Sequence, residues 1–382
     1  MDAQTNQVQD GTLINDIRSS ADFRGITFSG YKKSDVKKQL LLHLSNGRIE
    51  PSCYWSAEMV CASHFMDLWE ALLFYLGKYI HLANPKLAVY LHKRFVVFRN
   101  IMIQGDDEMI LRNNSTIRNM FIEIVSVFCI SPKKPAMEPV KIKTAEEFDM
   151  SVMTEKLKAP NADFATPIWK PKDPKELTIA MNEFCFHISK TNNHIPNMIQ
   201  ACYWVQWIIE FEAACRKRKR PCLAATRENI PVEYKYQQEA IWIVWDALFH
   251  ECKDDPYLQS LLQSILPLFC LKFSPPCIKK RNYLLYFAIS VVTEPFVRNS
   301  QMISDKRVVE HALNQCSTVY KQIKKNEVSP QTDYLFAGLH DPNAAQKSLH
   351  KLDMVYSVLD GGGPVDPDLI DQSEIDISTI EY

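Results

Sequence analysis

The run Phe65-Met66-Asp67-Leu68-Trp69-Glu70-Ala71-Leu72-Leu73-Phe74-Tyr75-Leu76-Gly77-Lys78-Tyr79-Ile80 carries its apolar side chains in helical register. Phe65, Leu68, Trp69, Leu72, Leu73, Leu76 and Ile80 recur at intervals of three and four, which lines them along one face of an α-helix. The same period continues on both sides. Upstream, Val36, Leu40, Leu41 and Leu44 share a face after Ser34, a residue type suited to helix starts, and a further helical segment covers Cys53 to Ala62. Downstream, Asn84-Pro85 reads as the N-cap and first residue of a helix through Leu91, Phe95, Phe98 and Met102, and Ile117, Phe121, Ile124, Val125 and Phe128 mark a fifth helix.

Glycine is scarce. The chain has 10 glycines in 382 residues and none between Gly105 and Gly338. Phosphate-cradling loops and strained nucleophile turns need glycine or other small residues for close backbone approach, so neither fits in that span. Between Ser131 and Pro171 the prolines Pro132, Pro135, Pro139, Pro160, Pro167 and Pro171 are spread among charged residues, which predicts a boundary. Asp173, Pro174 and Glu176 then supply an N-cap, a first-turn proline and a capping-box partner for a second helical series. Its apolar stripes are Trp204, Trp207, Ile208 and Phe211; Ile241, Trp245 and Leu248; Leu258, Leu261, Leu262, Ile265 and Phe269 after a cap at Asp255-Pro256; Tyr283 to Thr293; and Val308 to Ile323.

The two series share landmarks in the same order. Cys53-Tyr54-Trp55 recurs as Cys202-Tyr203-Trp204, Trp69-Glu70-Ala71-Leu72 as Trp245-Asp246-Ala247-Leu248, and Arg118-Asn119 as Arg281-Asn282. The second series contains an insertion with Arg216-Lys217-Arg218-Lys219-Arg220. A divergent tandem duplication is one account of this pattern, and chance echoes in a Trp-rich helical chain are the other; the first is taken as the expectation. The expectation is therefore an all-α protein of two related helical domains. It comprises a flexible leader over 1–30, a first domain over 31–131, a Pro-rich linker over 132–172, a second domain over 173–337, and a C-terminal region over 338–382. Trp55, Trp69, Trp204 and Trp245 are expected in the core.

Hydrophobic residues make up 46% of the chain, enough for a substantial core. The longest nearly uncharged stretch, Tyr283 to Thr293, is too short to span a bilayer, and the polar first ten residues predict no secretory signal. The 11 cysteines contain no Cys-x-x-Cys pair, and Cys61, Cys129, Cys185, Cys252 and Cys270 lie in apolar helical runs. They read as small buried hydrophobes, so neither disulfides nor a metal site is expected.

The stretch Ile49-Glu50-Pro51-Ser52-Cys53-Tyr54-Trp55-Ser56-Ala57-Glu58-Met59-Val60-Cys61, continuing into Asp67-Leu68-Trp69-Glu70, resembles a protein encoded widely by nucleocytoplasmic large DNA viruses of algae and protists. The resemblance continues through Arg112-Asn113-Asn114, Leu157 to Asn161, Trp207 to Phe211 and Tyr283 to Ala288, covering roughly residues 30 to 335. It implies a role in the virion or in the viral factory of the host cytoplasm, with other viral proteins as partners. It implies no mechanism, and the matching strings identify no active site.

Several residues carry chemistry that can be weighed directly. Glu58, His64 and Asp67 are close in sequence, but acid/base work needs convergence from separate elements, and wet helix faces carry such residues routinely. No catalytic residue, cofactor or metal ligand is expected. The basic runs are sharper: Arg216, Lys217, Arg218, Lys219 and Arg220, and then Lys279, Lys280 and Arg281, form a candidate polyanion-binding set. The net charge is −1, but Asp360 to Tyr382 holds seven acidic residues and no Lys or Arg, leaving the rest at +6. Leu349, Leu352, Val355 and Leu359 fall on one face of a short segment that reads as a partner-docking helix. These features point to a non-enzymatic structural or scaffolding protein, with a nucleic-acid-associated replication or transcription factor as the alternative.

Overall fold

The computed structural model describes residues 11–104, 107–190 and 194–328. Among these the chain is all-helical, with no strand and only two isolated antiparallel bridges, Ile26 to Lys32 and Leu223 to Glu239. The helices are α1 (Lys33–Ser45), α2 (Ile49–Cys61), α3 (Phe65–Tyr75), α4 (Lys86–Ile103), α5 (Glu108–Leu111), α6 (Ser115–Ile130), α7 (Thr144–Glu147), α8 (Met150–Lys156), α9 (Thr178–Ile188), α10 (Met198–Lys217), α11 (Ile241–Glu251), α12 (Pro256–Phe269), α13 (Pro275–Lys280), α14 (Asn282–Thr293), α15 (Lys306–Asn314) and α16 (Cys316–Lys324).

The helix pairs of the first series recur in the second. In the first, α1 packs on α2 and α3, α2 on α3, and α6 on α1, α2 and α4. In the second, α9 packs on α10 and α11, α10 on α11, and α14 on α9, α10 and α12. Helix α4 lies against α12, its counterpart in this pairing. The two series are not separate bodies, however. All sixteen helices fall within one compact unit that includes Arg18–Glu327. Helices α15 and α16, expected to complete the second domain, pack instead on α6 and α2 of the first. A small second unit joins Asn15–Ile17 to Val328, whose N–H donates to Asp16 (2.9 Å).

Helix α14 explains why the series cannot part. Every residue from Asn282 to Val292 is buried, so this helix is apolar all round and needs neighbours on every side. It packs on α9 to α13, on α3 and on the π-turn Leu76–Ile80 that prolongs α3. That turn comes so close that a Cβ on Gly77 would lie 2.7 Å from the carbonyl carbon of Tyr283. Only glycine fits there.

The segments expected as a flexible leader and a Pro-rich linker are both packed. From residue 11 the leader buries Ile14, Phe23 and Phe28, and the Arg18 guanidinium lies over both phenylalanine rings, 4.7 and 4.9 Å from their centroids. Ser29 donates its backbone N–H (3.1 Å) and hydroxyl to Glu58, a carboxylate with no exposure, which ties the leader to α2. The Pro-rich segment is likewise a strap. Phe148 packs edge-on against Trp207 (5.2 Å) and Phe211 (5.3 Å), and Glu183 of α9 accepts from Lys158 N and Ala159 N, both at 2.9 Å. Irregular backbone buries apolar groups without any periodicity, which is why neither segment reads as core.

Trp69, Trp204 and Trp245 are fully enclosed, while Trp55 is only half-buried against Tyr31. Asp255 caps α12 as expected, accepting from Tyr257 N and Leu258 N. Asp173 caps no helix. Asn84 turns its side chain away from α4 and donates to Met302 O (2.8 Å).

His81, just after the π-turn, has φ 49° and a ring that is 2% exposed beside Phe287, with neither nitrogen making a hydrogen bond of ordinary geometry. Burial, aided by the charge of Lys134, pushes its pKa down to about 4. The unfolded chain takes up this proton near 6.5 and the folded one only near 4, so the contribution is complete above 6.5 and lost as pH falls through that window. The expected loss is about 3 kcal/mol between the two ends. Urea unfolding at a series of pH values should show a slope over this range that His81→Phe removes; equal slopes in the two proteins would refute the assignment.

Candidate functional site

Helix α10 differs from its counterpart α2 mainly in length. The Cys-Tyr-Trp landmark starts at the fifth residue of both, yet α2 has 13 residues and α10 has 20. Seven extra residues make two turns, which extends the helix without rotating its faces. The insertion expected around the basic run thus begins as added helix, Phe211 to Lys217. The helix ends in a Schellman motif, with Lys219 N donating to Arg216 O and Arg220 N to Cys215 O, both at 3.0 Å. Lys219 has φ 58° in the position that glycine usually takes.

The eight basic residues separate into three groups. Lys217, Arg218, Lys219, Arg220 and Lys280 are exposed. Arg216 and Lys279 are committed to neighbours: Arg216 bridges Glu212 and Glu239 at 2.5 Å each, and Lys279 contacts Glu210 at 2.8 Å. Burial raises the pKa of Glu239, a shift that the Arg216 charge opposes. Arg281 does not belong to the candidate set. It is 3% exposed and donates to Glu70 of α3 and to Phe269 O (2.6 Å) at the end of α12, so it serves as a brace between helices. Its position beside two lysines in sequence gave no sign that its own side chain turns inward.

A cavity of about 420 Å³ opens beside the exposed cations. Its walls come from α10 (Ile209 and, in the extension, Ala213), the start of α11 (Ile241) and α13 (Pro275, Ile278). Lys217, Lys279 and the Arg216 cluster form the polar part of its lining. Sequence reasoning missed this cavity, because its walls come from three elements separated by tens of residues.

The other chemistry resolves into packing. Among the described residues no group of three His, Cys, Asp or Glu side chains is placed to hold a metal ion. All 11 cysteines are free thiols and only Cys215 is less than buried; burial pushes Cys53 and Cys252 up to about 12, away from the reactive range. Glu58, His64 and Asp67 do not converge: Glu58 holds Ser29, His64 Nε2 meets Ile26 O, and Asp67 pairs with Lys33. A larger cavity, about 830 Å³, lies between the strap and α11 and α12, with Arg227 in its wall. That guanidinium is spent: its donors reach Asp173, Asp246, Ala225 O and Ile168 O. Leu349, Leu352, Val355 and Leu359, and the acidic tail after them, lie outside the described residues. No helix among the described residues is long and apolar enough to cross a membrane.

The chain matches no family model, no curated protein and no solved structure.

Proposed function

We propose that this protein is a non-enzymatic scaffold that takes an acidic segment of a partner protein on the face formed by the end of α10 and α13. The observation that carries the reading is the exposed run Lys217 to Arg220, held outward by the Schellman turn, with Lys217 and Lys279 both lining an apolar cavity. A fixed cluster of cations attracts carboxylates, and an adjoining apolar surface adds the affinity that surface charge alone does not supply. The setting, assembly in the particle or factory of a large DNA virus, rests on the resemblance carried by residues 49–61 and the later strings. Nucleic acid is the second reading, since phosphates are drawn to the same cations.

The triple variant Lys217→Ser, Arg218→Ser, Arg220→Ser separates these readings. Arg216 is left in place because it bridges Glu212 and Glu239. The variant is expected to keep its unfolding free energy within about 0.5 kcal/mol, as surface changes do. Binding to polyglutamate should weaken several-fold and lose much of its salt dependence. If the wild type instead prefers duplex DNA to polyglutamate, with a steep salt slope that the variant flattens, the nucleic-acid reading replaces the scaffold reading.

A further inference from the structure

We infer that the cavity between α10, α11 and α13 is the anchor site for one apolar side chain of the acidic segment, so that the partner motif is a Leu, Met or Phe flanked by Asp or Glu. This rests on the docking reading above and adds the feature that gives it specificity.

Three observations support this occupant. The floor is aliphatic and prolyl (Ile208, Ile209, Ala213, Ile241, Pro275, Ile278), and no aromatic ring lines the cavity. A nucleobase binds single-strand sites largely by stacking on aromatic faces, so this lining suits an aliphatic or phenyl group better than a base. Of the cations in the lining, Lys279 pairs with Glu210 and Arg216 bridges the cavity's two carboxylates, Glu212 and Glu239, which leaves Lys217 at the mouth; the exposed Arg218 to Arg220 and Lys280 follow Lys217 and Lys279 in the chain. An apolar side chain entering there brings its flanking backbone within reach of the cations, so acidic neighbours complement the rim. Finally, part of the wall is the two-turn extension of α10 for which α2 has no counterpart. The added helix builds the cavity and presents the basic run at once.

The test is selection from a random peptide display library against the full chain. Enriched sequences should carry one Leu, Met or Phe with Asp or Glu on both sides. In a synthetic version of an enriched peptide, changing the apolar residue to Ala should weaken binding to the wild-type protein about tenfold or more. Ala213→Met, which fills the cavity without altering charge on a helix that favours methionine, should weaken the original peptide by a similar factor. The peptide substitution is read on unaltered protein and stands even if Ala213→Met folds poorly. Acidic peptides enriched without an apolar anchor, or an Ala peptide that binds as well as its parent, would overturn the cavity assignment and leave the docking reading intact. Failure to enrich acidic peptides at all would overturn both.

Discussion

Trp69→Ala and Trp245→Ala are each expected to cost about 3–5 kcal/mol in unfolding free energy, the range for emptying a fully enclosed aromatic site. Trp69 has no exposure and packs against Phe95 (5.2 Å), Phe98 (5.6 Å) and Phe121 (5.4 Å), which belong to α4 and α6. Trp245 holds the corresponding place in the second series, against Phe269 of α12 at 5.4 Å. Neither indole N–H has a hydrogen-bond partner, so the loss comes from apolar contact and the cavity left behind. Trp55→Ala supplies the contrast: half-buried, it should cost about 1–2 kcal/mol. Guanidinium unfolding of the three variants reads the ranking directly. Near-equal losses, or losses below about 1 kcal/mol at Trp69 and Trp245, would mean that the indoles are not packed as described.

Arg227→Met should be comparably damaging, by about 3–5 kcal/mol, because it strands a buried carboxylate. The Asp173 side chain has no exposure and receives both terminal nitrogens of Arg227, at 2.5 and 2.7 Å, along with Lys170 N and Ala225 N. Burial acts to raise the pKa of Asp173, and these donors outweigh it and hold the carboxyl below its usual value. Remove the guanidinium and burial prevails. The paired change Arg227→Met, Asp173→Leu should recover a large part of the loss, since the buried carboxylate is then gone and only Asp246, whose side chain is 33% exposed to water, loses its partner. If the double variant is no more stable than Arg227→Met alone, the clamp is not what holds the strap to α11.

The clamp also shows how a local pattern can mislead. Asp173-Pro174 followed by Glu176 has the composition of a helix start, yet α9 begins at Thr178 after a short 3₁₀ turn, and Asp173 turns to a residue 54 positions away. Arg281 makes the same point about charge: grouped in sequence with Lys279 and Lys280, it pairs with Glu70 across 211 residues. A basic run states only that charge is present. Whether a guanidinium points to solvent depends on what its own helix meets, and one sequence does not record that.

The sequence by itself determined that this protein is helical, where most of its long helices lie and that Trp69, Trp204 and Trp245 are central, though it also placed the half-buried Trp55 in the core and passed over the enclosed Trp242. A 3.6-residue period and large apolar side chains are local properties of the chain, whereas the depth of burial is not. It also carried the landmarks whose helix pairings recur in the two series. Only the tertiary structure decided that the two series share one body, that the leader and the proline-rich strap are packed, which cations remain free, and that a cavity adjoins them. Those outcomes depend on contacts between segments far apart in sequence, and above all on α14, whose burial on every side leaves no seam along which the chain could divide.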